Sequence, residues 1–150
     1  MLPFKKILAP IDFSEPSYEA LAVAEKLALR SSAELCVLHV VPSIPFVPES
    51  PLPPGFNISV LQLKLEEKAK KSLQDEVEKR VSKEVLLHTM VASGNPADEI
   101  ARIAQDDKSE LIVIASHGES GWRHLVHGSV TERVLRLAPC HVLVVRASHD

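Results

Sequence analysis

The chain has little cysteine, no long hydrophobic run and no excess of positive charge, and each shortage removes a class of protein. Two cysteines, Cys36 and Cys140, among 150 residues cannot make a disulfide scaffold. Both stand beside apolar strand-like runs and read as small buried hydrophobes in a reducing compartment. No apolar run approaches the ~18 residues of a membrane-spanning helix. The short one in the N-terminal MLPFKKILAPID cannot serve as the core of a signal peptide. A soluble, cytoplasmic protein without membrane contact is the expectation. With 17 basic and 20 acidic residues the net charge is −3, and the basic residues are scattered. Broad nucleic-acid binding needs a concentrated basic surface, so it is not expected.

Several catalytic and phosphate-binding motifs are also missing. There is no G-x-x-x-x-G-K-[ST] loop, and no lysine occurs after Lys108. No G-x-G-x-x-G follows the first apolar run, and no G-x-S-x-G marks a nucleophile elbow. An enzyme with an identifiable nucleophile or base is therefore not indicated; a weak ATPase is the most that could be asked.

What is present is a grammar of short buried strands alternating with helices. Lys6–Ile11, Glu34–Val41, Val85–Val91, Glu110–Ala115 and His141–Val145 are apolar runs suited to strands covered on both faces. Pro10 cannot donate to a ladder, so the first strand should fray there. Helices are expected from Ser14 to about Ser31, Ile58 to about Ser82, Asn95 to Gln105 and Ser129 to Leu137. Ser14 and Asn95 can cap, and Pro16 and Pro96 are tolerated in first turns. His39 and His88, each inside an apolar run, read as structural.

Five strands and four helices in alternation predict an α/β fold. It is a three-layer α/β/α arrangement around a five-stranded parallel sheet, wound in flavodoxin-like or Rossmann-like order. Residues 1–150 are expected to form a single domain. Its loop at 42–57 holds six of the eleven prolines, too many for a regular element. That length suits a cover for a site or a partner surface, or alternatively a polyproline II ligand.

In such sheets ligands bind beyond the carboxyl ends of the strands, where strand order reverses. Asp12 ends the first strand, and Val40 closes the second at the same edge. The stretch LIVIASHGESGWRHLVHGSVT, from Leu111 to Thr131, is a strand, a loop bounded by small residues, and a helix start. Unpaired N–H groups and the dipole at such a helix start favour an anion. Gly128 lets the backbone approach a phosphate, Ser129 offers an N–H and a hydroxyl, and Thr131 adds a second hydroxyl. The bland alternatives are that Asp12 makes an Asx-turn and that Ser129 merely caps the helix. Within the loop, His117 and Arg123, His124 and His127 could neutralise a triphosphate, with Mg²⁺ held mainly by phosphates and water. A zinc site from His117, His124 and His127 lacks ordered ligand spacing. Trp122 reads as a packing anchor or dimer contact.

The sequence resembles the universal stress protein family along nearly its whole length. KKILAPIDFSEPSYEALAVA looks like that family's first strand and helix. Ala115-Ser-His-Gly118, nine residues, then Gly128-Ser129 follows its nucleotide signature, with Ala115 where the signature has a first glycine. The resemblance implies a flavodoxin-like sheet, binding of ATP (or AMP or ADP), and a homodimer through the last strand, around Val142–Val145. Carried over by position, Asp12 and the backbone near Pro10, Ile11 and Val40 would hold adenine and ribose. Ala115, His117 and Gly118 on one side, and Gly128, Ser129, Val130 and Thr131 on the other, would surround the phosphates. The function so implied is a nucleotide-dependent stress-response module read by a regulatory protein partner. A slow ATPase using a water held by Asp12 or His117, or a dimeric interaction protein without nucleotide, are the other readings.

Overall fold

Apolar strands with no charged residue in their interiors are suited to burial, and the computed structural model shows how far each is covered. It describes residues 2–44, 53–116 and 129–148. The elements run β1 (Lys6–Pro10), α1 (Glu15–Ser31), β2 (Glu34–Val41), α2 (Ile58–Arg80), β3 (Leu86–Ser93), α3 (Pro96–Asp106), β4 (Leu111–Ala115), α4 (Val130–Leu137) and β5 (His141–Val145). The sheet is parallel throughout, in the order β3-β2-β1-β4-β5. The doubly wound three-layer architecture expected from the sequence is therefore observed.

Alternation along each strand divides the core. Ile7, Ala9, Leu35 and Val37 face α1 and α2, meeting Leu21, Ala24, Leu73 and Val77. Leu8, Cys36, Leu38 and Ile112 face α3 and α4, meeting Ile100, Ile103 and Val134. The inner strands β1, β2 and β4 are buried almost entirely, while β3 and β5, at the sheet edges, are only half covered.

Local chemistry sets the boundaries. Ser14 caps α1 and Pro16 sits in its first turn; Asn57 caps α2, and Asn95 with Pro96 opens α3. β1 stops at Pro10, one residue before the expected end, because proline brings no N–H to the ladder. Ile11 still donates to Leu38 O at 2.8 Å. β3 runs two residues beyond its expected end, to Ser93, and stops at Gly94. There φ is +140°, and the Gly94 N–H donates to Val41 O at 3.0 Å.

The loop at 42–57 is tied down where it leaves the sheet and where it enters α2. Ile44 N–H donates to Gln62 Oε1 at 3.0 Å, Gln62 in turn donates to Ser93 Oγ, and Ser93 donates to Glu66. Residues 45–52 of that loop lie outside the described residues.

Candidate functional site: the carboxyl edge between β1 and β4

Strand order reverses at β1. From β1 the chain winds outward to β2 and β3, then returns to β1's other flank with β4 and β5. Ile7 stands opposite Leu111 and Leu8 opposite Ile112, so the carboxyl ends of β1 and β4 lie side by side. Asp12 leaves one of these ends and Ser116 the other.

Asp12 is exposed, and its orientation is built by its neighbours. Its Oδ1 accepts from Ser14 N–H at 3.1 Å and from the Ser14 hydroxyl. The same hydroxyl oxygen accepts from Ser17 N–H at 3.3 Å, capping α1. One serine thus serves both the helix start and the carboxylate. The Asx-type turn is real, and it leaves the carboxylate exposed at the edge where a ligand would meet it. Between Asp12 and Ser14, Phe13 adopts φ +66°, a left-handed conformation costing about 1–2 kcal/mol for a residue with a Cβ. Its ring lies against that of His39, centroids 4.5 Å apart. His39 Nδ1 stands 2.8 Å from Ile11 O.

The other residues expected at the adenine wall have narrower roles. Pro10 and Ile11 are buried, and Ile11 uses its N–H on Leu38 and its carbonyl on His39. Its N–H is thus committed within the protein. Val40 is only 8% exposed and packs among Leu38 and the α3 side of the core. The Val40 side chain is therefore taken up by the core.

Beyond the end of β4, α4 begins where the sequence placed it. Ser129 is the N-cap, and its hydroxyl accepts from Glu132 N–H at 3.0 Å. The N–H groups of Val130 and Thr131 then belong to the first turn, where no intrahelical carbonyl reaches them. Thr131 places its hydroxyl on Ala115 O at 2.6 Å. A hydroxyl has one proton, so that bond removes Thr131 Oγ as a donor to phosphate and leaves its N–H. The role of this side chain is to hold the first turn of α4 on the end of β4. Ala115 is 5% exposed and the last residue of the strand, so its extended backbone has no need of glycine. Ser116 N–H continues the edge by donating to Val145 O at 2.8 Å. Arg133 donates to Asp98 Oδ1 at 2.9 and 3.1 Å, tying the first turns of α4 and α3.

His117, Gly118 and Gly128 lie outside the described residues, as do Trp122, Arg123, His124 and His127. Among the described residues no three His, Cys, Asp or Glu side chains gather as metal ligands, and no helix is long and apolar enough to cross a membrane. Both cysteines are free; burial pushes the Cys36 thiol up to about 12 and raises that of Cys140.

The sequence profile of the universal stress protein family matches residues 3–146. The chain belongs to that family. Universal stress protein YxiE of Bacillus subtilis is 35% identical to it over 153 aligned positions, covering 95% of this chain and 99% of the relative. Among solved structures, universal stress protein UspA from Lactobacillus plantarum superposes with a TM-score of 0.78 at 27% identity, covering 95% and 98%. A universal stress protein in complex with cAMP shares the fold at a TM-score of 0.64 and 21% identity, covering 97% and 98%.

Sequence reasoning missed three features of the site in this universal stress protein. The left-handed Phe13 has no glycine to announce it. The Thr131–Ala115 bond joins residues far apart in sequence. His39 reads as structural from its apolar surroundings, but nothing in ELCVLHVV shows that its ring reaches the main chain beside Asp12.

Proposed function

We propose that this universal stress protein binds an adenine nucleotide, ATP above AMP or ADP, across the crevice between β1 and β4. Occupancy is the state that a regulatory protein partner reads. The observation that carries the reading is a pairing of two ends. An exposed carboxylate, held by Ser14 at the end of β1, shares a sheet edge with the first turn of α4 at the end of β4. Carboxylate oxygens accept from ribose hydroxyls, and free N–H groups at a helix start donate to phosphate. The spacing of the family's signature through Gly118, Gly128 and Ser129 supports it, as does a protein of this fold in complex with cAMP. Mg²⁺ fits as a companion of the phosphates, coordinated chiefly by them and by water.

The protein works as a homodimer in the cytoplasm on this reading. Among the described residues the outer edge of β5 has no strand beside it, and Leu143 on it is 39% exposed. Leu135 and Leu137, on the neighbouring α4, are 52% and 44% exposed.

Mass spectrometry of gently purified protein should show a co-purifying adenine nucleotide, and calorimetry should show ATP binding that Gly128→Val abolishes. Absence of any nucleotide together with no measurable ATP affinity would favour the dimeric interaction protein. Phosphate release lost in Asp12→Asn or His117→Gln, with ATP still bound, would favour the slow ATPase.

A further inference from the structure

His39 occupies a position where the strand pattern asks for an apolar residue. Its neighbours on the α1–α2 face of β2 are Val37 and Val41, and the charged or polar partner expected of a half-buried histidine is here a main-chain carbonyl. That carbonyl, Ile11 O, lies 2.8 Å from Nδ1. A carbonyl can only accept, so Nδ1 carries the proton. The β1–β2 ladder already secures this level of the sheet through Ile11 N–H and Leu38 O at 2.8 Å. The histidine adds a second hold on the same residue, and its ring supports Phe13 at 4.5 Å, with the planes inclined at 43°. The residues on either side of Asp12 are therefore both fixed by one side chain of another strand.

We propose that His39 is the positioning residue for the nucleoside end of the site: through Ile11 O and the Phe13 ring it sets where Asp12 stands relative to the end of β2. The inference rests on the nucleotide reading and adds a specific division of labour to it. Without the imidazole, Phe13 keeps its packing against the α1 side of the core but loses the ring contact beside its φ of +66° and relaxes towards the extended region. Asp12 turns with it. Ser14 still bonds the carboxylate, but that bond ties it to the start of α1 and not to β2. The first turn of α4, fixed by Ser129 and Thr131, is unaffected. The base and ribose should therefore feel the change and the phosphates should not.

Calorimetry with adenosine, ATP and inorganic triphosphate tests this. His39→Leu should weaken adenosine and ATP by a similar factor of about ten, the value of one lost hydrogen bond, and leave triphosphate affinity unchanged. His39→Asn, whose amide N–H stands near the position of Nδ1, should recover most of that loss. Melting curves confirm that each variant folds; if the leucine variant does not, His39→Gln, with its amide one bond too far out, replaces it with the same loss expected. Adenosine bound by the leucine variant as tightly as by the wild type would overturn the role of His39. So would an asparagine variant as weak as the leucine one, or a loss confined to ATP. A wild-type protein that binds neither adenosine nor ATP would bring down the nucleotide reading and this inference together.

Discussion

Ser14 shows how much a single side chain decides at the edge of β1. Its hydroxyl donates to Asp12 and accepts from Ser17 N–H, so Ser14→Ala removes a cap and an orienting bond at once. The lost cap should cost about 1 kcal/mol, read as a fall of about 3 °C in melting temperature. ATP affinity should fall as well, whereas Ser14→Asp, which can still cap but sets a second carboxylate beside Asp12, should restore the melting temperature and not the affinity. Thr131 makes a similar point at the end of β4. Thr131→Val keeps the shape and loses the bond to Ala115 O, and Thr131→Ser keeps the bond. Calorimetry should find the valine variant weaker for ATP and the serine variant close to wild type. At the cysteines, burial decides reactivity. With Cys36 1% exposed and its thiol raised to about 12, almost no thiolate exists near neutral pH. A thiol-specific dye at about pH 8 should label Cys140 slowly and Cys36 only after denaturation. Rapid labelling of both in the native protein would contradict the packing described.

The elements were legible in the sequence because their chemistry is local. Five apolar runs, proline in two first turns, and Ser, Asn and Ser at three helix starts gave all nine elements to within a few residues. The small disagreements have local causes too: Pro10 ends β1 early, and β3 continues because Val91 to Ser93 pair with the end of β2. What the sequence hid is contact between elements. Nothing in it shows Arg80 of α2 stacked 3.5 Å over the Tyr18 ring of α1, with its Nε on Glu76 at 3.0 Å. The hydrogen bond from Arg80 is the main reason the Glu76 carboxyl titrates below its ordinary value. A lowered carboxyl stabilises the fold above its unfolded-state value and loses that contribution as pH falls through the lowered one. Glu76→Gln should therefore reduce the melting temperature at about pH 7, and its effect should fade as pH falls through the lowered value, below which the carboxyl is protonated in either state. A loss as large in acid as at neutrality would place the effect in packing instead. Gly94 is the other element-level constraint. A Cβ there would lie 3.1 Å from Glu99 on a backbone of φ +140°, so Gly94→Ala should destabilise by about 1–3 kcal/mol in denaturant unfolding.

The whole molecule is arranged so that two chain reversals meet at one sheet edge. Parallel winding puts every strand's carboxyl end on the same side, and the order β3-β2-β1-β4-β5 puts β1 and β4 together there. The location of the candidate site was legible from this rule alone, since Asp12 and Ser129 close or follow the strands that must be neighbours. The detailed division of the site was not, because it depends on which polar groups are already committed: Ile11 N–H to Leu38, Thr131 Oγ to Ala115, Ser129 Oγ to Glu132. At this scale the edge of β5, unpaired among the described residues, predicts association. Leu143→Lys sets a charge in the middle of that edge and should convert a dimer to a monomer in light scattering, with the melting temperature little changed at high protein concentration. The central claim, adenine nucleotide between β1 and β4, is tested most directly by following backbone amide signals during an ATP titration. The largest shifts should fall on Asp12, Phe13, Val130 and Thr131, at the two facing ends; saturable shifts clustered elsewhere, or none at millimolar ATP, would contradict it.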